Sequence, residues 1–195
     1  MQNQVRSLYR PLWATSFSKI FTPAPVLLVV VILAGIKGGI GILGVLLLAV
    51  GIIAIPGLAY KRFASLAQIL GWPTNLRTKI VALLTIAGAV ACILLDAPQP
   101  IPATVIGLVA GNACLDLARR RLNASAHVSV LTFSVLWATD VFGPPFAWLL
   151  VLSPMMLFSR TALREHTWGE ALVGALIGLV TFGCFTGANN WSWIS

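Results

Sequence analysis

Residues 40–60 read IGILGVLLLAVGIIAIPGLAY, twenty-one positions without a charged side chain. A helix needs roughly 20 apolar residues to cross the hydrocarbon core of a bilayer, and this stretch supplies them. Lys37-Gly38-Gly39 precedes it and Lys61-Arg62 follows it, so polar residues bound the run at both ends. Pro56 does not argue against a helix, because neighbouring helices in a membrane re-satisfy the groups that an internal proline frees. Working outward, the same pattern recurs. Before it lies a shorter run at 22–36, which reaches spanning length only by borrowing residues from Phe17 onward. After it come runs at 80–95, 101–118, 128–142 and 146–158, and a last one from near His166 to about Gly187. DAPQP, the triplet Arg119-Arg120-Arg121, Gly143-Pro144-Pro145 and Ser159-Arg160 end the first four of these. FASLAQILGWPTNLRT reads as a connector along the membrane interface with Trp72-Pro73 as its turn, and the tail GANNWSWIS carries two interfacial tryptophans.

Composition gives the same class. Of 195 residues, 58% are hydrophobic and 9% charged, against about a quarter charged in a soluble domain. The expected fold is all-α: a polytopic transmembrane helical bundle of about seven membrane segments. It is read as one integral membrane domain over 1–195, with a basic N-terminal segment at 1–21. That segment is polar and the run after it has no small-residue cleavage site, so it is not read as a removed signal peptide. The net charge of +8 would point to nucleic acid in a soluble protein. Here the basic residues sit between apolar runs, so membrane topology and anionic headgroups account for them and no nucleic-acid partner is expected. Cys92, Cys114 and Cys184 all fall inside apolar runs and have no metal-ligand spacing to the histidines.

Seven crossings would place Arg6, Arg10, Lys19, Lys61, Arg62, Arg77, Lys79, Arg119, Arg120, Arg121, Arg160 and Arg164 on one face and Lys37 alone on the other. Setting aside Arg119, Arg120, Arg121, Arg160 and Arg164 as possible phosphate ligands leaves seven against one. The positive-inside rule makes the crowded face cytoplasmic.

Both histidines of the chain lie on that face, in NASAH (123–127) and SRTALREHTWGE (159–170). His166 and Glu170 are four residues apart at the expected start of the last helix, so they share one side of it. A carboxylate bonded to one imidazole nitrogen would fix the tautomer and free the other nitrogen as a nucleophile. The helix start would add backbone N–H groups and a field favourable to an anion. Arg160 offers a planar fork of donors for phosphate oxygens. His127, with Ser125 two residues earlier, begins another helix and is placed to protonate a departing alkoxide. The glycines of GEALVGALIGLVTFG read as sites of close helix packing, and Trp137, Trp148 and Trp168 as packing or interface residues.

Ser159-Arg160, five residues, His166, three residues and Glu170 resemble the third signature of the phosphatidic acid phosphatase type 2 superfamily, SR-x5-H-x3-D, with Glu for Asp. Ala124-Ser125-Ala126-His127 resembles its second signature, PSGH, keeping Ser and His. The first signature, K-x6-RP, has no counterpart; Arg119, Arg120 and Arg121 stand in its region, with Arg121 nearest to NASAH. The resemblance covers roughly 40–187, the family's six-helix phosphatase core, and leaves the first helix as an addition. It implies a metal-independent phosphatase that needs no cofactor and works through a phosphohistidine. His166 would be the nucleophile, Glu170 its orienting partner and His127 the general acid. Arg160, Ser125, the backbone N–H of Ala126 and one of the three arginines would hold the phosphate. The compact form is similar to small prokaryotic members, which implies a plasma-membrane enzyme acting on a lipid phosphate. Polyprenyl phosphate or diphosphate, a prenyl-linked sugar phosphate and phosphatidic-acid-like lipids all fit. A phosphotransferase of the same fold and a non-catalytic transport or assembly protein are the alternatives.

Overall fold

The computed structural model describes residues 11–70 and 76–191, with the backbone alone for 64–70, 77 and 78. Arg6, Arg10, the Trp72-Pro73 turn, Trp193 and the side chain of Arg77 lie outside the described residues. Among those described there is no strand, and the chain is all-helical. The helices are α1 (Leu12–Ile20), α2 (Pro23–Lys37), α3 (Gly41–Ala49), α4 (Ile55–Leu70), α5 (Leu76–Leu94), α6 (Ile101–Arg119), α7 (Ala126–Phe142), α8 (Leu152–Ala162) and α9 (Trp168–Asn189). A π-helical stretch, Val50–Ala54, joins α3 to α4, and a 3-10 stretch, Pro144–Val151, leads into α8.

Among the described residues, three helical stretches are long and apolar enough to cross a membrane: Gly41–Phe63, Ile101–Arg119 and Trp168–Asn189. The pair α1 and α2, bent by 43°, makes a fourth if it is one span. Lys79–Leu94 and Ala126–Phe142 are shorter apolar helices.

Local chemistry explains where the helices depart from the apolar runs. The first run is entered through a kink, because the residue before a proline avoids the helical region and Thr22, preceding Pro23, is extended at ψ 148°. Pro56 has no N–H for the carbonyl four residues back, and its ring crowds that carbonyl. The helix widens into its π turn immediately before it. Lys61 and Arg62 were expected to stop the second run, yet α4 continues through them to Leu70. The charges end the apolar surface, while lysine and arginine remain good helix formers. Gly143, at φ 87°, makes the sharp turn after α7.

The core is built on α9, which packs along α6 and α7. Trp137, Phe133 and Phe185 are fully buried and their rings are in contact. A buried indole N–H needs an acceptor; Trp137 Nε1 donates to Thr104 Oγ1 at 2.9 Å, and that hydroxyl donates on to the Pro100 carbonyl at 2.7 Å. Trp148 and Trp168 are more than half exposed. Glycines set the closest approaches. A Cβ on Gly111 would meet Thr181 Oγ1 at 2.5 Å, one on Gly174 the Ser125 carbonyl oxygen at 2.6 Å, and one on Gly178 the Ser129 carbonyl oxygen at 2.6 Å. Gly169 and Gly183, expected in the same role, face open space.

Candidate active site

The end of α6, the start of α7, the end of α8 and the start of α9 meet at one end of the bundle. Segment 123–127 is stitched to the start of α9 by its backbone. Ser125 N–H donates to the Glu170 carbonyl at 3.3 Å. His166 Nδ1 lies 2.8 Å from the Asn123 carbonyl oxygen. A carbonyl can only accept, so Nδ1 carries the hydrogen and Nε2 keeps its lone pair. The tautomer expected from a carboxylate is thus set by a backbone carbonyl. Glu170 Oε2 stands 3.7 Å from Nδ1, near enough to support a positive charge and too far for a hydrogen bond.

Glu170 is engaged elsewhere. Helix α9 begins at Trp168, with Thr167 as its N-cap in a reciprocal capping box. Thr167 N–H donates to Glu170 Oε2 at 2.8 Å, and Glu170 N–H donates to Thr167 Oγ1 at 3.3 Å. His166 therefore precedes the helix, where the sequence placed it within the first turn. Two of the amides expected to face an anion are used by the cap itself.

The start of α7 differs. Ser125 is its N-cap residue and makes no side-chain cap. Its Oγ is fully buried and forms no hydrogen bond among the described residues. Arg160 has a second such atom, the buried Nε. The rest of its guanidinium is held: Nη1 donates to Ser18 Oγ at 2.7 Å, and Nη2 pairs with Glu165. Burial works against the charge of Arg160 and Glu165 works for it. Ser159 anchors the same turn, donating from Oγ to the Ala14 carbonyl at 2.8 Å. Helix α1, outside the expected 40–187 core, thus holds α8 at the site through two contacts.

His127 precedes the apolar run that starts at Val128. Burial, then the positive charge of Arg160, then His166 whenever its ring is protonated, and last Arg119 push its imidazole down to about 4. Of the arginine triplet, Arg119 faces this cluster, with Nε 3.5 Å from the Ala124 carbonyl. Arg120 pairs with Asp116 at 3.3 Å on the exposed surface, and Arg121, nearest in sequence, is exposed. The helix runs on through Arg119, so its rotation turns Arg119 toward 123–127 and carries the next two residues away.

His166, His127, Arg160, Ser125, Ala126, Glu170 and Arg119 are therefore gathered in one place, while Arg120 and Arg121 are turned aside. Sequence reasoning missed the Asn123 carbonyl, Ser18 and Glu165. Glu165 lay in plain view beside His166; a backbone carbonyl leaves no mark in side-chain identity. Among the described residues, no group of three or more His, Cys, Asp or Glu side chains is arranged to hold a metal. No family model, no curated protein and no solved structure matches this chain.

Proposed function

We propose that the protein is an integral membrane lipid phosphatase that works through a phosphohistidine on His166. One observation carries the reading. Two buried donors, Ser125 Oγ and Arg160 Nε, have no hydrogen-bond partner among the described residues. They belong to the cluster in which Arg160 and Arg119 act on His127 with positive charge. A buried polar atom without a partner is costly, and several positive groups close together repel one another. A phosphate dianion would relieve both costs together.

The chemistry follows from the tautomer. His166 Nε2 attacks phosphorus, and the bond from phosphorus to the lipid oxygen breaks. His127 gives that oxygen its proton, so the lipid alcohol leaves neutral. Water then attacks the phosphohistidine while His127 takes its proton; phosphate departs and Nε2 is restored. Arg160, Ser125 Oγ, the Ala126 N–H and Arg119 bind the phosphoryl oxygens. Glu170 offsets the positive charge that grows on His166. The low proton affinity of His127 fits a general acid that is charged only with substrate present, because an arriving dianion favours its protonated form.

The same proposal takes the chain as seven membrane segments. The bent pair α1 and α2 is the first, and the 3-10 stretch with α8 is the sixth. This puts the site on the face rich in Lys and Arg, the cytoplasmic side of a prokaryotic plasma membrane by charge. A site at the bundle end suits a phosphate in water with its chain in lipid.

The test is phosphate release by detergent-purified protein from a panel of lipid phosphates, with His166→Ala alongside. Release from one class, reduced about a thousand-fold or more by the substitution, is expected for loss of a nucleophile. Release that survives His166→Ala would refute the mechanism. Turnover only on addition of an acceptor alcohol would make the protein a phosphotransferase, and no turnover with any lipid would leave the transport or assembly reading.

A further inference from the structure

An apolar cavity of about 250 Å³ lies between α2 and α7, bordered by the start of α8. Phe21, Val26, Val29, Leu131, Val135 and Leu152 are among its walls. Its one polar wall residue, Ser134, donates its hydroxyl to the Val130 carbonyl at 2.8 Å and has no free hydrogen to offer. Such a cavity discriminates by shape.

Its position decides what enters. His127, Leu131, Ser134, Val135 and Ala138 recur at helical spacing, so they form one stripe of α7. The last four line the cavity and the first belongs to the phosphate cluster. The opposite wall begins at Ile20 and Phe21, two and three residues after Ser18, which holds Arg160. Both walls therefore lead from the charged groups into the apolar space. From His127 to Ala138 the stripe is about 16 Å long at 1.5 Å per residue.

We infer that this cavity holds the first part of the substrate's hydrocarbon tail, and that the substrate is a lipid phosphate with a single chain. The inference rests on the lipid phosphatase reading. Size supports the single chain. An apolar cavity of about 150 Å³ takes one benzene ring, so the space here matches about ten carbons in one file. Two acyl chains side by side would need twice that, and the second chain of a diacyl lipid would be left outside.

The experiment uses the full chain in lipid nanodiscs with a non-hydrolysable alkyl phosphonate carrying a diazirine mid-chain. After photolysis the labelled peptides are mapped. Adducts are expected on α2 and α7 at the cavity walls, displaced by dodecyl phosphate and poorly by a diacyl phosphatidate. Val29→Trp, at an exposed position on the rim, should abolish them; Val26→Phe is the second variant, filling the cavity from within. In the phosphate assay, Val29→Trp should raise KM for dodecyl phosphate about ten-fold or more while leaving phenyl phosphate, which has no tail, within about two-fold. Wall adducts without phosphate release from any substrate would uphold the tail site and sink the phosphatase reading. Adducts spread over the exposed face of α3 and unchanged in both variants would overturn the inference, whatever the phosphate assay shows. Displacement by phosphatidate as effective as by dodecyl phosphate would overturn the single chain.

Discussion

Replacing Gly174 with alanine would put a methyl group 2.6 Å from the Ser125 carbonyl oxygen. Ordinary contact begins at 3.4 Å, so the two backbones must separate by about 0.8 Å, the difference between these distances. No side chain can swing aside to absorb this, because the methyl meets the main chain. Overpacking of this kind costs about 1–3 kcal/mol. The displacement falls on the segment that builds the site. Ser125 N–H already reaches the Glu170 carbonyl at 3.3 Å and would lose that bond. The Asn123 carbonyl, two residues away, would be drawn off His166 Nδ1, and with it would go the constraint that presents Nε2. A misplacement near 1 Å costs about a hundred-fold in rate. Phosphate release and thermal unfolding of the purified protein measure the two effects. Gly183→Ala and Gly187→Ala are the controls, since nothing lies within 4 Å of a Cβ at either position. Removing an unneeded helical glycine there should stabilise by up to about 1 kcal/mol and leave the rate alone. If Gly174→Ala proves as stable and as active as Gly183→Ala, the coupling of α9 to the nucleophile through this contact is wrong.

Three further outcomes test the charges around the site. Arg119→Ala should weaken phosphate inhibition about ten-fold, the loss of one charge-assisted hydrogen bond, while Arg121→Ala leaves it unchanged; titration with inorganic phosphate separates them. With two histidines in the chain, NMR of ring-labelled protein can follow each. His127 should titrate near pH 4 in the free protein and move upward in Arg160→Gln or on adding phosphate, because either change removes or offsets positive charge. Ser18→Ala frees Arg160 Nη1 and should raise KM for the lipid phosphate several-fold with kcat less affected, with Ser18→Thr restoring it; a fall in kcat alone would place Ser18 outside phosphate binding.

The apolar runs were legible because the bilayer demands them: 101–118 became α6 and 128–142 became α7, each within two residues at either end. What changed the backbone inside a run was harder to see. Pro23 and Pro56 sit inside apolar runs and Pro144-Pro145 reads only as a turn between two of them, yet they lie at the kink, beside the π turn and at the start of the 3-10 stretch. In the site, Ser125, Arg160 and Glu170 are marked by their chemistry and their spacing to the histidines, whereas Glu165, which pairs with Arg160, was passed over although it adjoins His166. Ser18 meets Arg160 across 142 residues, and no local pattern in SFSKI announces that contact. Among the three arginines left open, Arg121 is nearest to NASAH along the chain, yet it is Arg119 that comes within 3.5 Å of the Ala124 carbonyl, because helical rotation decides which side chain faces 123–127.

The two helix starts at the site divide its work. Both offer unpaired amides and a positive field to an anion. Helix α9 uses its own carboxylate to satisfy that demand, so the end that carries His166 is already balanced. Helix α7 has no side-chain cap, and Ser125, its N-cap residue, keeps its Oγ unpaired among the described residues, next in the chain to Ala124, whose carbonyl Arg119 meets, and two residues before His127, on which Arg160 and Arg119 act. On the proposed mechanism, a phosphate approaching this end of the bundle would therefore be drawn to the α7 side and would meet His166 from across the gap. The attacking nitrogen should not itself grip the ground-state anion, since binding that is equal in ground and transition states does not accelerate the chemical step. On the same proposal, Glu170 would lie where positive charge appears only as the N–P bond forms. It neutralises the α9 start and would support the imidazolium from the same position, a role consistent with a carboxylate 3.7 Å from His166 that does not hydrogen-bond to it.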